Sequence, residues 1–265
     1  MNQPLAFVHP QAQIADNVVI EPFASISKNV VIGEGTWVGP NVCIMPGARI
    51  GKNCRIFPGA VIAGIPQDLK YEGENTTVEI GDNTTIREFV TINRGSKDRW
   101  TTKVGSNCLI MAYSHIAHDC IVGNNCIMSN NTQMAGHVML GDHAILAGMC
   151  AIHQFVQIGQ HAFVSGGSLV SKDVPPYIKA GRTPLSYAGV NSVGLKRRGF
   201  SLIKINQILD IYRIIYNKNL NTSQALNFIE EELPATDERD EIVTFIRESG
   251  RGIIKRYSKG SMEDE

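Results

Sequence analysis

Residues 29–56, NVVIGEGTWVGPNVCIMPGARIGKNCRI, place an aliphatic side chain at every sixth position: Ile32, Val38, Ile44, Ile50 and Ile56. Continued in both directions, the same step runs from Val8 to Val170, and 25 of its 28 positions are Ile, Val, Leu or Met. A period of six contains the strand period of two and misses the helical 3.6, so each aliphatic residue belongs to a short strand. Two places before it stands a small residue, as at Ala24, Thr36, Cys54, Ser114 and Thr132. The place after it is often Gly, and three places after it Asn recurs, as at Asn29, Asn41, Asn53, Asn107 and Asn125. Gly and Asn accept the left-handed backbone of a tight corner. Each hexad is thus a flat side followed by a turn, and such hexads stack as a parallel β-helix. Nine coils of three hexads, at ~4.8 Å per coil, predict a prism about 40–45 Å long.

The chain has 265 residues, 43% of them hydrophobic, enough for a large core in one domain or one plus an appendage. Its net charge of zero argues against nucleic acid as a main partner. The start, MNQPLAFVHP, lacks the basic and apolar regions of a secretory signal. No apolar run approaches the roughly 18 residues of a membrane span. A soluble, cytoplasmic protein is expected.

Five of the six cysteines (Cys54, Cys108, Cys120, Cys126 and Cys150) occupy the small, inward position, where Cys acts as a small hydrophobe. The series fails only at Asp68, Glu74 and Asp98. A carboxylate in a dry core would cost several kcal/mol, so loops are expected near 66–76 and 94–103. Both insertions must be multiples of six, because the phase survives them. After Val174 the hexads stop, and from Leu195 an apolar stripe of Leu202, Ile205, Ile208, Leu209, Tyr212 and Ile215 reads as helix. Two further helices are expected, one ended by Pro234 and one carrying Ile242, Phe245 and Ile246. The predicted division is a β-helix over 1–190 and a helical domain over 191–265.

With eighteen residues to a coil, His118, His137 and His153 line one edge of three consecutive coils, and Gln154 stands two coils beyond His118. His115, in SHIAHDC (114–120), lies on the adjoining wall. His137, His143 and His161 occupy the Asn-rich corner position, which His tolerates for conformational reasons alone. His118 departs from the hexad pattern and has Asp119 beside it, which makes it the strongest candidate for chemistry.

QDLKY, HIAHDC, AGHV, HQF, DVPPY and GLKRRGF follow one another between residues 67 and 200. Together they resemble the acyl-carrier-protein–UDP-N-acetylglucosamine O-acyltransferases of lipid A biosynthesis, helical tail included. The resemblance implies a left-handed β-helix, homotrimers with sites between subunits, and transfer of a 3-hydroxyacyl group from acyl carrier protein to the sugar 3-hydroxyl. It implies His118 as general base, Asp119 as its orienting or tuning partner, and the Gly136 backbone N–H as an oxyanion donor. Gln67, Asp68, Lys70, His115, His137, His153 and Gln154 match substrate contacts. Asn191, Arg197 and Arg198 match the nucleotide site, and a basic patch there also suits the acidic carrier protein. Gly166 matches the boundary of the acyl channel, so a chain of ~14 carbons or more is expected to pass, since glycine has no side chain. No cofactor and no metal are implied, because the acyl group arrives on the carrier's phosphopantetheine. Two residues depart from the family pattern: Asn93 stands for a His in TIHRG, and Val193 for an acidic residue.

Three other functions suit a hexad prism. A zinc-dependent γ-type carbonic anhydrase recruits three histidines between subunits, but gives the loop, KRR and the tail no role. The related UDP-3-O-acylglucosamine N-acyltransferase adds an N-terminal uridine-binding domain, whereas hexads here start at Val8. A non-enzymatic solenoid needs no histidine-lined groove.

Overall fold

The hexads close into a three-walled prism. In the computed structural model, which describes residues 5–218 and 220–257, the repeat unit is a two-residue strand such as Val31–Ile32 or His115–Ile116, separated from the next by a corner. Every third strand pairs in parallel with the one a coil below, giving among the described residues one wall of nine strands, one of eight and one of ten. The aliphatic positions therefore form columns. Ile56, Ile86, Ile110, Met128, Leu146 and Val164 stand in register on the third wall, all fully buried. The inward cysteines are buried with them, and the Cys108 and Cys126 thiols donate to the Gly123 and Gly141 carbonyls at 3.1 and 3.2 Å.

The corners explain the asparagines. Asn41, Asn53, Asn107, Asn125 and Asn131 have φ between 54° and 60°, the left-handed region that Asn enters at low cost. Asp119 (61°), His137 (63°), His143 (59°) and His161 (57°) take the same corner.

Both phase breaks leave the wall as loops. Ile62 pairs with Ile92, 30 residues on where a plain coil has 18, so twelve residues are extruded between the strands Val61–Gly64 and Thr77–Ile80. Ile80 pairs with Val104, 24 residues on, which extrudes six more. This second loop ends at Trp100, earlier than residue 103, because Thr101 already pairs with Thr77.

The wall also outlasts the pattern. Val164 pairs with Ala180, sixteen residues on. The two residues are lost between Val170, which still pairs eighteen residues back with Ile152, and Val174, which already bridges Ile158 sixteen residues back, and this shift hides the last coil from a six-residue period. Ser186–Val190 then turns antiparallel and ends the stack.

Among the described residues four helices follow: α1 (Ser192–Arg197), α2 (Leu202–Asn217), α3 (Thr222–Glu232) and α4 (Asp237–Glu248). α1 starts before the expected Leu195, because Asn191 caps it. The buried face of α2 is Ile205, Ile208, Ile211, Tyr212 and Ile214; Leu202, expected in the stripe, is 72% exposed because it sits at the first turn, beyond the packed face. α3 ends at Glu232, just before Pro234, and carries a full capping box between Asn221 and Gln224.

DVPPY joins the two parts. Asp173, buried, accepts from the Gln157 amide at 2.8 Å and the Ser249 hydroxyl at 2.6 Å, and the Pro176 carbonyl accepts from the Tyr212 hydroxyl at 2.6 Å. No helix among the described residues is long and apolar enough to cross a membrane.

The Ile110 column leaves no room to collapse. Ile110→Ala is expected to cost about 2–5 kcal/mol, read as a lowered midpoint in thermal or denaturant unfolding; an unchanged midpoint would contradict this packing.

Candidate active site

The edge where the first wall turns toward the second gathers the expected residues. His118, Gly136 and Gln154 occupy the same hexad place in three successive coils, so they stack. The ring of His118 lies flat enough against the coil above that a Cβ added at Gly136 would stand 2.6 Å from its Cε1 and 2.7 Å from its Nε2. Gly136 is the residue that gives the imidazole its seat. A cleft of about 550 Å³ opens in front of it, lined by Gln67, His115, His118, Gly136, His153 and Gln154 among others.

His118 and Asp119 are neighbours in sequence and partners in space. Nδ1 of His118 lies 2.8 Å from Asp119 Oδ2. The Asp119 carboxylate is wholly buried, yet it stays ionised. Burial pushes its pKa up, but hydrogen bonds from His118 and Ser96 outweigh this and hold it at about 2. An ionised acceptor fixes the tautomer: Nδ1 carries the proton, and Nε2 presents its lone pair to the cleft. The same hydrogen bond raises the pKa of His118 against the opposing effect of burial, with help from the charges of Asp119, Asp68 and Asp98.

The other histidines differ. His115 bonds Thr91 Oγ1 through Nδ1 at 2.7 Å, and burial lowers its pKa. His137 is buried too, and burial lowers its pKa. Its Nε2 lies 3.6 Å from Asp119 and its Nδ1 3.5 Å from Asp98. His153 bonds its neighbour's carbonyl at 3.0 Å through Nδ1. His118, Asp119 and His137 bring three ligand-type atoms within 4.8 Å of one another, a spacing a cation could use. His118 Nδ1 and Asp119 Oδ2 are already committed to each other at 2.8 Å.

Known proteins share both the scaffold and this site-bearing region. The family model described as bacterial transferase hexapeptide (six repeats) matches residues 29–64 and 101–136. The one described as UDP N-acetylglucosamine O-acyltransferase, domain 2, matches 173–254. An acyl-[acyl-carrier-protein]–UDP-N-acetylglucosamine O-acyltransferase from Aquifex aeolicus is 57% identical over 198 residues, 74% of this chain and 76% of that protein. One of the same name from Chlorobaculum tepidum is 61% identical over 186 residues, 70% of each. The chain belongs to this O-acyltransferase family. In structure, LpxA from Bacteroides fragilis superposes with a TM-score of 0.95 at 52% identity, covering 96% of this chain and all of that one. LpxA from Acinetobacter baumannii gives 0.93 at 40% identity, covering 96% and 99%. The left-handed β-helix with a helical tail is therefore the fold of this acyltransferase, and neither the anhydrase nor the N-acyltransferase alternative gains support.

Within one chain of the acyltransferase the expected site residues fall into three groups. Gln67, His115, His118, Gly136, His153 and Gln154 share the cleft. Asp68 approaches from the first loop, its Oδ2 4.0 Å from His118 Nε2, and its Oδ1 accepts from the amide of Lys70, whose side chain is exposed. His137 backs the dyad from the next coil and opens onto a separate hollow with Arg99, Met139 and Phe155. The third group lies off the cleft. Asn191 spends its side chain on its own backbone, Nδ2 on the His161 carbonyl at 2.9 Å and Oδ1 on the Gly194 amide at 3.3 Å. It seats α1, on which Arg197 is exposed and Arg198 donates to the His143 carbonyl at 3.0 Å. Gly166 lies on the far edge of the first wall, against the Gly148 carbonyl. Asn93 ties the first loop down through the Ile65 carbonyl at 3.0 Å, and Val193 is exposed.

Three residues at the dyad escaped sequence reasoning: Ser96, Arg99 and Thr102, all bonded to Asp119. For Ser96 and Arg99 the only signal was the phase break at Asp98, which marked the loop and not its members; Thr102 lies in the following strand, Thr101–Val104, at an ordinary small position of its hexad.

Gly136→Ala is expected to displace the His118 ring and lower kcat at least a hundredfold, since a misplacement of ~1 Å costs that much, with the melting temperature little changed. The acid limb of kcat/KM is expected above the ordinary histidine value of about 6.5. His118 must be neutral to accept a proton, and its raised pKa means the lone pair is lost as pH falls through that higher value. A limb at or below 6 would contradict the assigned base.

Proposed function

We propose that this acyltransferase moves a 3-hydroxyacyl group from acyl carrier protein to the 3-hydroxyl of UDP-N-acetylglucosamine, the first step of lipid A biosynthesis. The observation that carries the reading is the neutral Nε2 of His118, held toward the cleft by an ionised, buried Asp119 and seated against Gly136.

A sugar hydroxyl is almost fully protonated near neutral pH and attacks a thioester poorly. Nε2 of His118 takes its proton as the O–C bond forms, a contribution of roughly 10²–10⁴ in rate. The carbonyl oxygen gains charge, and the Gly136 N–H, on the coil above, is suited to receive it; one such donor is worth about 3 kcal/mol. The C–S bond then breaks, and the imidazolium returns the proton to the departing pantetheine thiolate. Transfer is direct, so no enzyme nucleophile, metal or bound cofactor takes part. The buried cysteines suit this reading, since burial pushes the Cys120 thiol up to about 12.

Gln67, Asp68, Lys70, His115, His153 and Gln154 are placed to hold the sugar and the acyl head. His137 acts behind the dyad. One chain supplies only one wall of the cleft, while Asn191, Arg197 and Arg198 lie apart from it. A homotrimer resolves this by bringing α1 of a neighbouring subunit over the cleft, with guanidinium forks for the diphosphate. Small residues mark an acyl path across the first wall, from Ala151 at the cleft to Gly148 and Gly166 at the far edge. A reaction that consumes a nucleotide sugar and a carrier-bound acyl group belongs in the cytoplasm.

Mass spectrometry of UDP-sugar products, with carrier-linked acyl chains of graded length in competition, tests the whole reading. The expected product is the 3-O-hydroxyacyl sugar from chains of ~14 carbons or more, the length that the absence of a side chain at Gly166 admits. His118→Ala is expected to lose 10²-fold or more in kcat. Full activity in that variant would defeat the mechanism, and a wide margin for short chains would defeat the acyl path.

A further inference from the structure

We propose that Ser96 is a positioning residue of the dyad, acting from the inserted loop 94–100 through the carboxylate of Asp119. This deepens the reading of His118 as general base and rests on it.

Asp119 occupies the corner position that Asn107, Asn125 and Asn131 fill in other hexads. Asn107 and Asn131 are exposed there and Asn125 is half-buried, because a corner side chain points away from the core. Asp119 is fully buried at the same kind of corner. What covers it is the loop. The Ser96 amide donates to Oδ1 at 2.9 Å and the Ser96 hydroxyl to Oδ2 at 2.7 Å, while the Arg99 amide reaches Oδ1 at 3.2 Å. The Arg99 guanidinium donates to the Asp119 carbonyl at 3.2 Å, and the Asp119 amide donates to Thr102 Oγ1 at 2.8 Å. Every polar group of Asp119 but one lone pair thus meets the loop or the strand that follows it, and the remaining bond goes to His118.

The hydroxyl is oriented as well as placed. Ser96 Oγ accepts from the Asp98 amide at 3.2 Å, which leaves its proton turned toward Asp119. His118 Nδ1–H and Ser96 O–H then converge on the same oxygen, Oδ2. The serine keeps the carboxylate from rotating toward water and takes up part of the negative charge that His118 would otherwise draw on alone. Other groups facing the pair are Asp68 from the first loop, Asp98 from the second, His115 on the strand that precedes the corner, His137 on the next coil, and Arg99. Ser96 donates to the oxygen that holds the imidazole at 2.7 Å, whereas His137 Nε2 stands 3.6 Å from it, and the serine carries no charge of its own.

Steady-state kinetics over a range of pH on the full-length enzyme, with carrier-linked hydroxyacyl donor and UDP-N-acetylglucosamine, test the assignment. Ser96→Ala is expected to lower kcat at neutral pH roughly tenfold, as loss of a positioning contact does. Both KM values should stay within about twofold, because the residue touches neither substrate. Losing the competing donor strengthens the remaining bond to His118, so the acid limb of kcat/KM should move to higher pH. Ser96→Thr, which keeps the hydroxyl, should restore rate and limb together. The assignment is overturned if the alanine variant matches wild type, if its loss lies in KM, if the limb stays in place or moves down, or if Ser96→Thr fails to rescue. His118→Ala in the same assay separates the two readings. Inactivity there beside a normal Ser96→Ala overturns the serine's role alone, and activity there overturns both.

Discussion

In-register stacking of eighteen-residue coils is the constraint on which everything else depends. Because side chains alternate with a period of two, a slip of one residue would turn an entire aliphatic column outward and the corners inward. That penalty is repeated at every coil, so the register is held along the whole prism, and with it the vertical alignment of His118, Gly136 and Gln154. It also dictates what an insertion can be. Twelve residues leave the wall between Ile62 and Ile92 and six between Ile80 and Val104, and each returns the chain to the same face. An insertion of five or seven would have reversed inside and outside for every coil above it.

The scaffold aligns the site but does not by itself make a base. A histidine packed against the wall loses basicity, as His115 on its strand and His137 on its corner show, both lowered by burial. His118 escapes because its hydrogen bond to Asp119 outweighs burial, and Asp119 stays ionised in turn because donors from the loop outweigh its own burial. Three imidazoles within one neighbourhood thus hold different affinities for the proton. The difference comes from one buried anion and from which ring nitrogen faces it. That imidazoles of lowered basicity surround the most basic one also limits the like-charge repulsion that would otherwise oppose its protonation.

The walls, the corner residues, the inward cysteines and the stacking of His118 beneath Gly136 were legible in the sequence, since each follows from the period alone. The last coil was not, because two residues are lost between Val170 and Val174 and the period cannot register a turn of another length. Leu202 was misplaced because a helical stripe does not say where the packed face ends. The role of Asn191 was legible only as a match to a motif; its side chain turns out to cap α1 and hold the His161 carbonyl. Ser96 and Arg99 were invisible because their bonds to Asp119 come from an irregular loop, where no period operates, and Thr102 because it fills an ordinary small position of its hexad.

The chemistry is concentrated where the repeat fails. A regular hexad can offer only outward strand residues and corners, most of them at least partly open to water, and water would compete for the thioester and for every hydrogen bond at the dyad. The first loop brings Gln67 and Asp68 to the mouth of the cleft, and the second seals Asp119 from solvent. Loops of this kind are dependable only because the wall beneath them is rigid and in phase on both sides. The prism therefore supplies alignment, the insertions supply exclusion of water and electrostatic bias, and the neighbouring coil supplies a backbone with no side chain. A histidine poised as His118 is needs all three here, and no single hexad contains more than one of them.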